Sequence, residues 1–105
     1  MEFIARTIDK GDICIDVGAN IGYYTLNLAK LVGSSGMVFS FEPNRRNFLI
    51  TSLSVEINNF KNVLVMQNVV SDSSNDVFHE IKGIDSTTSY YTKQADQGEE
   101  VESIA

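Results

Sequence analysis

A chain of 105 residues has room for one small domain and no second. Its 43% hydrophobic and 21% charged residues describe a globular chain with a solvated surface, not a disordered or membrane-embedded one. The net charge of −6 argues against a broad grip on nucleic acid, whose phosphates need clustered Lys and Arg. The close basic pair Arg45-Arg46 reads as a solvated helix face. A single cysteine, Cys14, makes no internal disulfide and sits in an apolar run as a small hydrophobe. With one histidine, His79, there is no Cys/His cluster, and no metal site is expected. No long apolar run follows a basic start, so neither a signal peptide nor a membrane span is expected, and a reducing, cytoplasmic setting is the default.

Taken in chain order, residues 2–8 carry Phe3, Ile4 and Ile8 on one side of a short predicted helix, and Lys10-Gly11-Asp12 reads as a turn. Ile13 to Val17 is an apolar, β-branched run between glycines, the pattern of a strand buried on both faces of a parallel sheet. A helical period then runs from about Ile21 to Val32, with Ile21, Tyr24, Leu28, Leu31 and Val32 on its inner side and Gly33 as its stop. Met37 to Phe41 is a second strand, ending at Glu42-Pro43. Asn44 can cap a second helix, whose Leu49, Leu53 and Ile57 recur every four residues as a core stripe, and Asn58-Asn59 ends it. Val63 to Met66 is a third strand, residues 71–75 a turn, and Val77 to Ile81 a fourth strand. Residues 83–98 are rich in Ser, Thr, Gln and Asp and read as a long loop; Glu100 onward resembles a further strand. Strand, helix, strand, helix, strand predicts an α/β fold with a mostly parallel open sheet and flanking helices.

In such sheets ligands bind at the carboxyl ends of the strands, where glycine turns let the backbone approach. Gly18 and Gly22 bracket a turn of this kind. Asp16, ending the first strand, can bond loop amides or attract the ammonium group of an amino-acid ligand; Asn20 offers a donor and an acceptor at the loop tip. A dinucleotide fingerprint begun at Gly18 would need glycine at positions 20 and 23, where Asn20 and Tyr23 stand, and no Gly-Lys-Ser/Thr follows to make a phosphate-cradling loop. A purely structural turn explains the glycines alone. Glu42 adds a second signal: it stands 20 residues beyond Gly22, at the end of the next strand, where an acidic side chain can accept from both ribose hydroxyls. Asn68 and Asp72, after the third strand, lie where polar groups could meet an adenine edge, although turn chemistry explains Ser71-Asp72 as well.

The segments Asp-Val-Gly-Ala-Asn-Ile-Gly-Tyr-Tyr-Thr (16–25), Phe-Glu-Pro-Asn (41–44) and Asn-Val-Val-Ser-Asp (68–72) resemble the FkbM family of methyltransferases. The resemblance implies a Rossmann-like class I methyltransferase fold, S-adenosylmethionine as donor, and transfer to a hydroxyl of a sugar or natural-product acceptor. It puts Asp16, Gly18, Asn20 and Gly22 beside the methionine and ribose, and Glu42 on the ribose. Members of the family continue into a strand bearing Asp-x-Glu-Gly, which residues 73–105 lack. The expectation is therefore the donor-binding, N-terminal part of a truncated methyltransferase domain over residues 1–105. No general base is assigned: His79 alternates with apolar residues, and Asp85 has no supporting pattern. Tyr24 is expected in the core, and Tyr90-Tyr91 in the loop. The competing readings are a fold remnant that binds nothing and an RNA methyltransferase domain, the latter opposed by the charge. An exposed sheet edge predicts self-association.

Overall fold

A computed structural model of the chain describes residues 8–72, 77–82, 89–92 and 100–104, the second and third of these spans as backbone strands. The helix predicted over residues 2–8 falls outside them apart from Ile8, as do Asp85 and most of the turn predicted over residues 71–75.

Strand β1 (Ile13–Val17), helix α1 (Tyr23–Val32), strand β2 (Met37–Phe41), helix α2 (Arg45–Ile57) and strand β3 (Val63–Met66) form two consecutive βαβ units. Their strands make a parallel sheet in the order β1-β2-β3, with Ile15 beside Phe39 and Phe39 beside Leu64. The parallel arrangement follows from the helical crossovers, which return the chain to the same end of the sheet before each new strand. Asn44 caps α2 through its side-chain oxygen, which accepts from the Asn47 amide at 2.9 Å. Gly33 ends α1 at φ +67, and its N–H donates to the Ala29 carbonyl.

A second, four-stranded sheet holds β4 (Val69–Val70), β5 (Val77–Lys82), β6 (Ser89–Thr92) and β7 (Glu100–Ile104) in the order β4-β7-β5-β6. β7 runs parallel to β4, whereas β5 is antiparallel to both β6 and β7. Strand β6 corrects the expectation of a continuous loop over residues 83–98. Tyr90, Tyr91 and Thr92 have strand-forming side chains, and β5 supplies the ladder their backbone needs.

The core corrects three further expectations. Leu28, Ala29, Val32 and Val38 form its buried centre, with Ile8, Cys14, Phe60 and Val63 packed around it. On α1 the buried row is Thr25, Leu28, Ala29 and Val32, while Ile21 precedes the helix and Tyr24, 52% exposed, lies off the buried face. On α2 the buried residues are Thr51 and Val55, and the leucine stripe faces outward, with Leu53 57% exposed. The helix is turned this way by polar bonds: Asn47, Thr51 and Val55 form one i, i+4 row, and two of its members bond residue 20. Finally, β1 is buried on one face only. Cys14 and Asp16 point to the side covered by α1, whereas Ile13, Ile15 and Val17 are exposed on the other. An apolar strand is covered only where another element lies across it, and among the described residues none covers this face.

Candidate functional site

The two βαβ units bring the ends of β1 and β2 together. Beyond Val17 the chain folds back over β2, and the amides of Gly18 and Ala19 both donate to the Phe41 carbonyl, at 2.8 and 3.1 Å. Three residues of this loop lie in the left-handed region: Gly18 at φ +74, Asn20 at φ +57 and Gly22 at φ +93. A Cβ at Gly18 would meet nothing within 4 Å, so there the requirement is conformational, and the space beside the backbone is open. A Cβ at Gly22 would lie 3.0 Å from the Thr51 methyl, so there glycine also permits the close approach of α2. The turn between them is closed by the Gly22 amide, which donates to the Ala19 carbonyl at 3.0 Å.

Glu42 follows β2 directly and is 6% exposed. Its Oε1 accepts from the Asn20 amide at 2.6 Å and its Oε2 from the Asn44 amide at 2.9 Å. Two backbone N–H groups therefore set the plane of the carboxylate and offset part of the cost of burying its charge. The same residue's amide donates to Met66 at the end of β3, tying all three strand ends together. Gln67 adds a second tie, from its Nε2 to the Pro43 carbonyl at 3.2 Å.

Asp16 is held from the helix side. The Thr25 hydroxyl donates to Asp16 Oδ2 at 2.7 Å, and Ser40 Oγ lies 2.7 Å from the same Thr25 oxygen. A hydroxyl has one proton to give, so with Thr25 donating to Asp16 the Ser40 hydroxyl donates to Thr25. Thr25 and Ser40 are both fully buried. This polar pair fixes one oxygen of a carboxylate that stands near the carboxyl end of β1.

Five of the residues singled out from sequence, Asp16, Gly18, Asn20, Gly22 and Glu42, thus share one corner of the fold. Asn68 and Asp72 take other partners: Asn68 Nδ2 donates to the Glu102 carbonyl of β7 at 3.1 Å, and exposed Asp72 accepts from the Ser71 hydroxyl at 3.3 Å. His79 lies on β5, in register with Thr92 and Glu100. Sequence reasoning gave no role to Thr25, the last residue of the segment 16–25, and passed over Ser40, Asn47 and Thr51. Thr25 carries a signal, since it is a hydroxyl residue three and four positions before Leu28 and Ala29 on the buried row. Ser40 carries another, as the one polar residue in the strand Met37-Val38-Phe39-Ser40-Phe41. Among the described residues no group of His, Cys, Asp and Glu is placed to hold a metal ion, and no helix is long and apolar enough to cross a membrane.

Known proteins share this fold. The Methyltransferase FkbM domain matches residues 16–104. A SAM-dependent O-methyltransferase from Thermotoga maritima superposes with a TM-score of 0.61 at 26% identity, over 70% of this chain and 30% of its own. A Streptococcus mutans protein solved in complex with SAH gives 0.58 at 26% identity, over 65% and 37%. A SAM-dependent methyltransferase from Aquifex aeolicus gives 0.61 at 23% identity, over 71% and 42%. The shared fold is Rossmann-like, and the chain spans less than half the length of each of these structures. Among curated proteins no sequence matches it.

Proposed function

The chain belongs to the FkbM methyltransferase domain family, and on that premise we propose that the loop over residues 16–22, together with Glu42, holds S-adenosylmethionine for transfer of its methyl group. The observation that carries this reading is the Glu42 carboxylate, buried at the end of β2 and turned toward the β1 loop by the amides of Asn20 and Asn44. A carboxylate oriented in this way is suited to accept from a ribose diol. The residues fit the cofactor on a second count, because a side chain at Gly18 would extend into open space that a ligand can use. Asp16, steadied by Thr25, suits the ammonium group of the methionine moiety. Asn68 and Asp72 are assigned to the adenine end. When bound, the sulfonium supplies a methyl group already activated for displacement. The work of these residues is to bind it, orient it and keep water away.

For the acceptor we propose a hydroxyl of a sugar or another natural product. The name of the Thermotoga maritima relative, an O-methyltransferase, supports oxygen as the acceptor atom. No base is assigned among the described residues.

Isothermal titration of the chain with S-adenosylhomocysteine tests the donor site. Saturable binding is expected, weakened about tenfold to a hundredfold by Glu42→Ala, the range for losing hydrogen bonds to a charged group. Gly18→Val should weaken it as well, since a β-branched residue at φ +74 is strained and its side chain enters the open space. No heat at millimolar ligand from a folded sample sinks the donor-site reading.

A further inference from the structure

We propose that Asn47 and Thr51 are positioning residues of the donor site, holding Asn20 in the left-handed conformation that turns its amide onto Glu42. The inference rests on the donor-site reading and adds to it two residues of α2 that no sequence motif pointed to. Three of the four polar groups of Asn20 are engaged: the amide, the carbonyl and the side-chain oxygen. Its amide donates to Glu42 Oε1 at 2.6 Å, its backbone carbonyl accepts from the Thr51 hydroxyl at 2.9 Å, and its side-chain Oδ1 accepts from Asn47 Nδ2 at 3.2 Å. Asn20 sits at φ +57, a region that costs an L-residue free energy and that asparagine tolerates better than most.

Two of the three bonds come from one face of α2, and that face is fixed independently of Asn20. Asn44 caps the helix through the Asn47 amide, and Val55, further along the same row, is buried. The rigid element is therefore the helix, and the loop conforms to it. Were Asn20 to relax to negative φ, its amide would turn away from Glu42 and the carboxylate would lose one of the two N–H groups that set its plane. Thr51 thus acts on Glu42 through one intervening residue, without a bond of its own to the carboxylate among those described. The outward turn of the α2 leucine stripe has the same origin: the row that faces the loop is the one carrying Asn47 and Thr51.

If the loop has two conformations, the dissociation constant rises as the competent fraction falls. Removing one part-buried hydrogen bond of this kind lowers the conformational equilibrium constant about fivefold, which sets the ceiling on the fall of that fraction. The experiment has two arms on the 105-residue chain. In the ligand-free protein, NMR couplings and Cα shifts of Asn20 report its φ; Thr51→Val should release the left-handed state, and Thr51→Ser should keep it. In titrations with S-adenosylhomocysteine, Thr51→Val should bind more weakly than wild type, by up to about fivefold, and Thr51→Ser should match wild type. Asn47→Ala, at a partly exposed position that leaves the core intact, should show a smaller loss in both arms. Rescue by serine separates positioning from packing, because Thr51→Ser loses the methyl that touches Gly22 and Thr51→Val keeps it. An unchanged Asn20 conformation in both Thr51→Val and Asn47→Ala overturns the proposal even if the wild type binds well. A wild type that binds nothing overturns the donor site, and the conformational arm then decides by itself whether Thr51 and Asn47 hold Asn20.

Discussion

The two faces of the parallel sheet differ in composition, and their burial runs opposite to what composition alone would give. On β1 and β2, alternate positions point each way: Cys14, Asp16, Val38 and Ser40 to the face beneath α1, and Ile13, Ile15 and Val17 to the other. The covered face is the less hydrophobic of the two and is nevertheless the buried one. It holds a polar pair, Thr25 and Ser40, at zero exposure, while Ile15 on the opposite face is 66% exposed. Burial therefore follows what lies across a strand more than what the strand is made of, and the covered face uses its enclosure to orient Asp16.

The largest expected effect breaks this comparison directly. Val38→Asp would place a carboxylate at zero exposure among Leu28, Ala29 and Val32. An unpaired buried charge costs several kcal/mol, a cost on the order of a small domain's whole stability, about 5 kcal/mol. The variant should not give a cooperative thermal transition by circular dichroism. Ile15→Asp, the same chemistry on the neighbouring strand's open face, should lose no more than about 1 kcal/mol, the span of strand propensity. If the two variants melt alike, the open face is covered in solution and the contrast is lost.

A medium effect tests the polar part of the covered face. Thr25→Val keeps the shape, removes the hydroxyl, and leaves Ser40 Oγ and Asp16 Oδ2 without their described partner. Stranding buried polar groups in this way costs about 2 kcal/mol, and Thr25→Ser should recover most of it, read from denaturant midpoints at constant m. An unaffected Thr25→Val midpoint would mean that Asp16 is oriented by something other than this pair.

The sheet order explains how far sequence alone could see. The strands β1, β2 and β3 and the capped helix α2 are legible because their signals are local: short apolar runs, and an asparagine three residues before an amide it can cap. The loop over residues 16–22 and Glu42 are legible as a pair because a βαβ unit places successive strand ends side by side. The facing of elements is not local. Leu49, Leu53 and Ile57 make a correct helical period, yet the helix is oriented by Thr51 and Asn47 binding a residue some thirty positions earlier in the chain, |i−j| = 31 for Thr51. Strand β6 is hidden for a similar reason, since Ser89 to Thr92 becomes a strand through its pairing with β5. Periodicity specifies which residues share a face, and only the tertiary bonds decide which face turns inward.

The smallest effect uses a thiol to read the two faces of one strand. Cys14 is flanked by Ile13 and Ile15 but points the other way, into the packing around Leu28 and Val38. Burial raises its thiol above the ordinary value of 9.0, and the Asp12 carboxylate raises it further by opposing a second negative charge. The sign for stability follows from proton counting. Above pH 9.0 the unfolded chain releases this proton before the folded one does, so the folded state binds more protons and stability declines with rising pH until the folded thiol also ionises. Below that window the group contributes no slope. Alkylation by iodoacetamide, which consumes the thiolate, should therefore reach half-maximal rate at higher pH for Cys14 than for a cysteine introduced by Ile15→Cys in a Cys14→Ala background. The two positions are adjacent in sequence and share the same strand, so the offset isolates the face. Equal midpoints would show that the cover over Cys14 opens as readily as the exposed side, and that the sheet's two faces differ in composition alone.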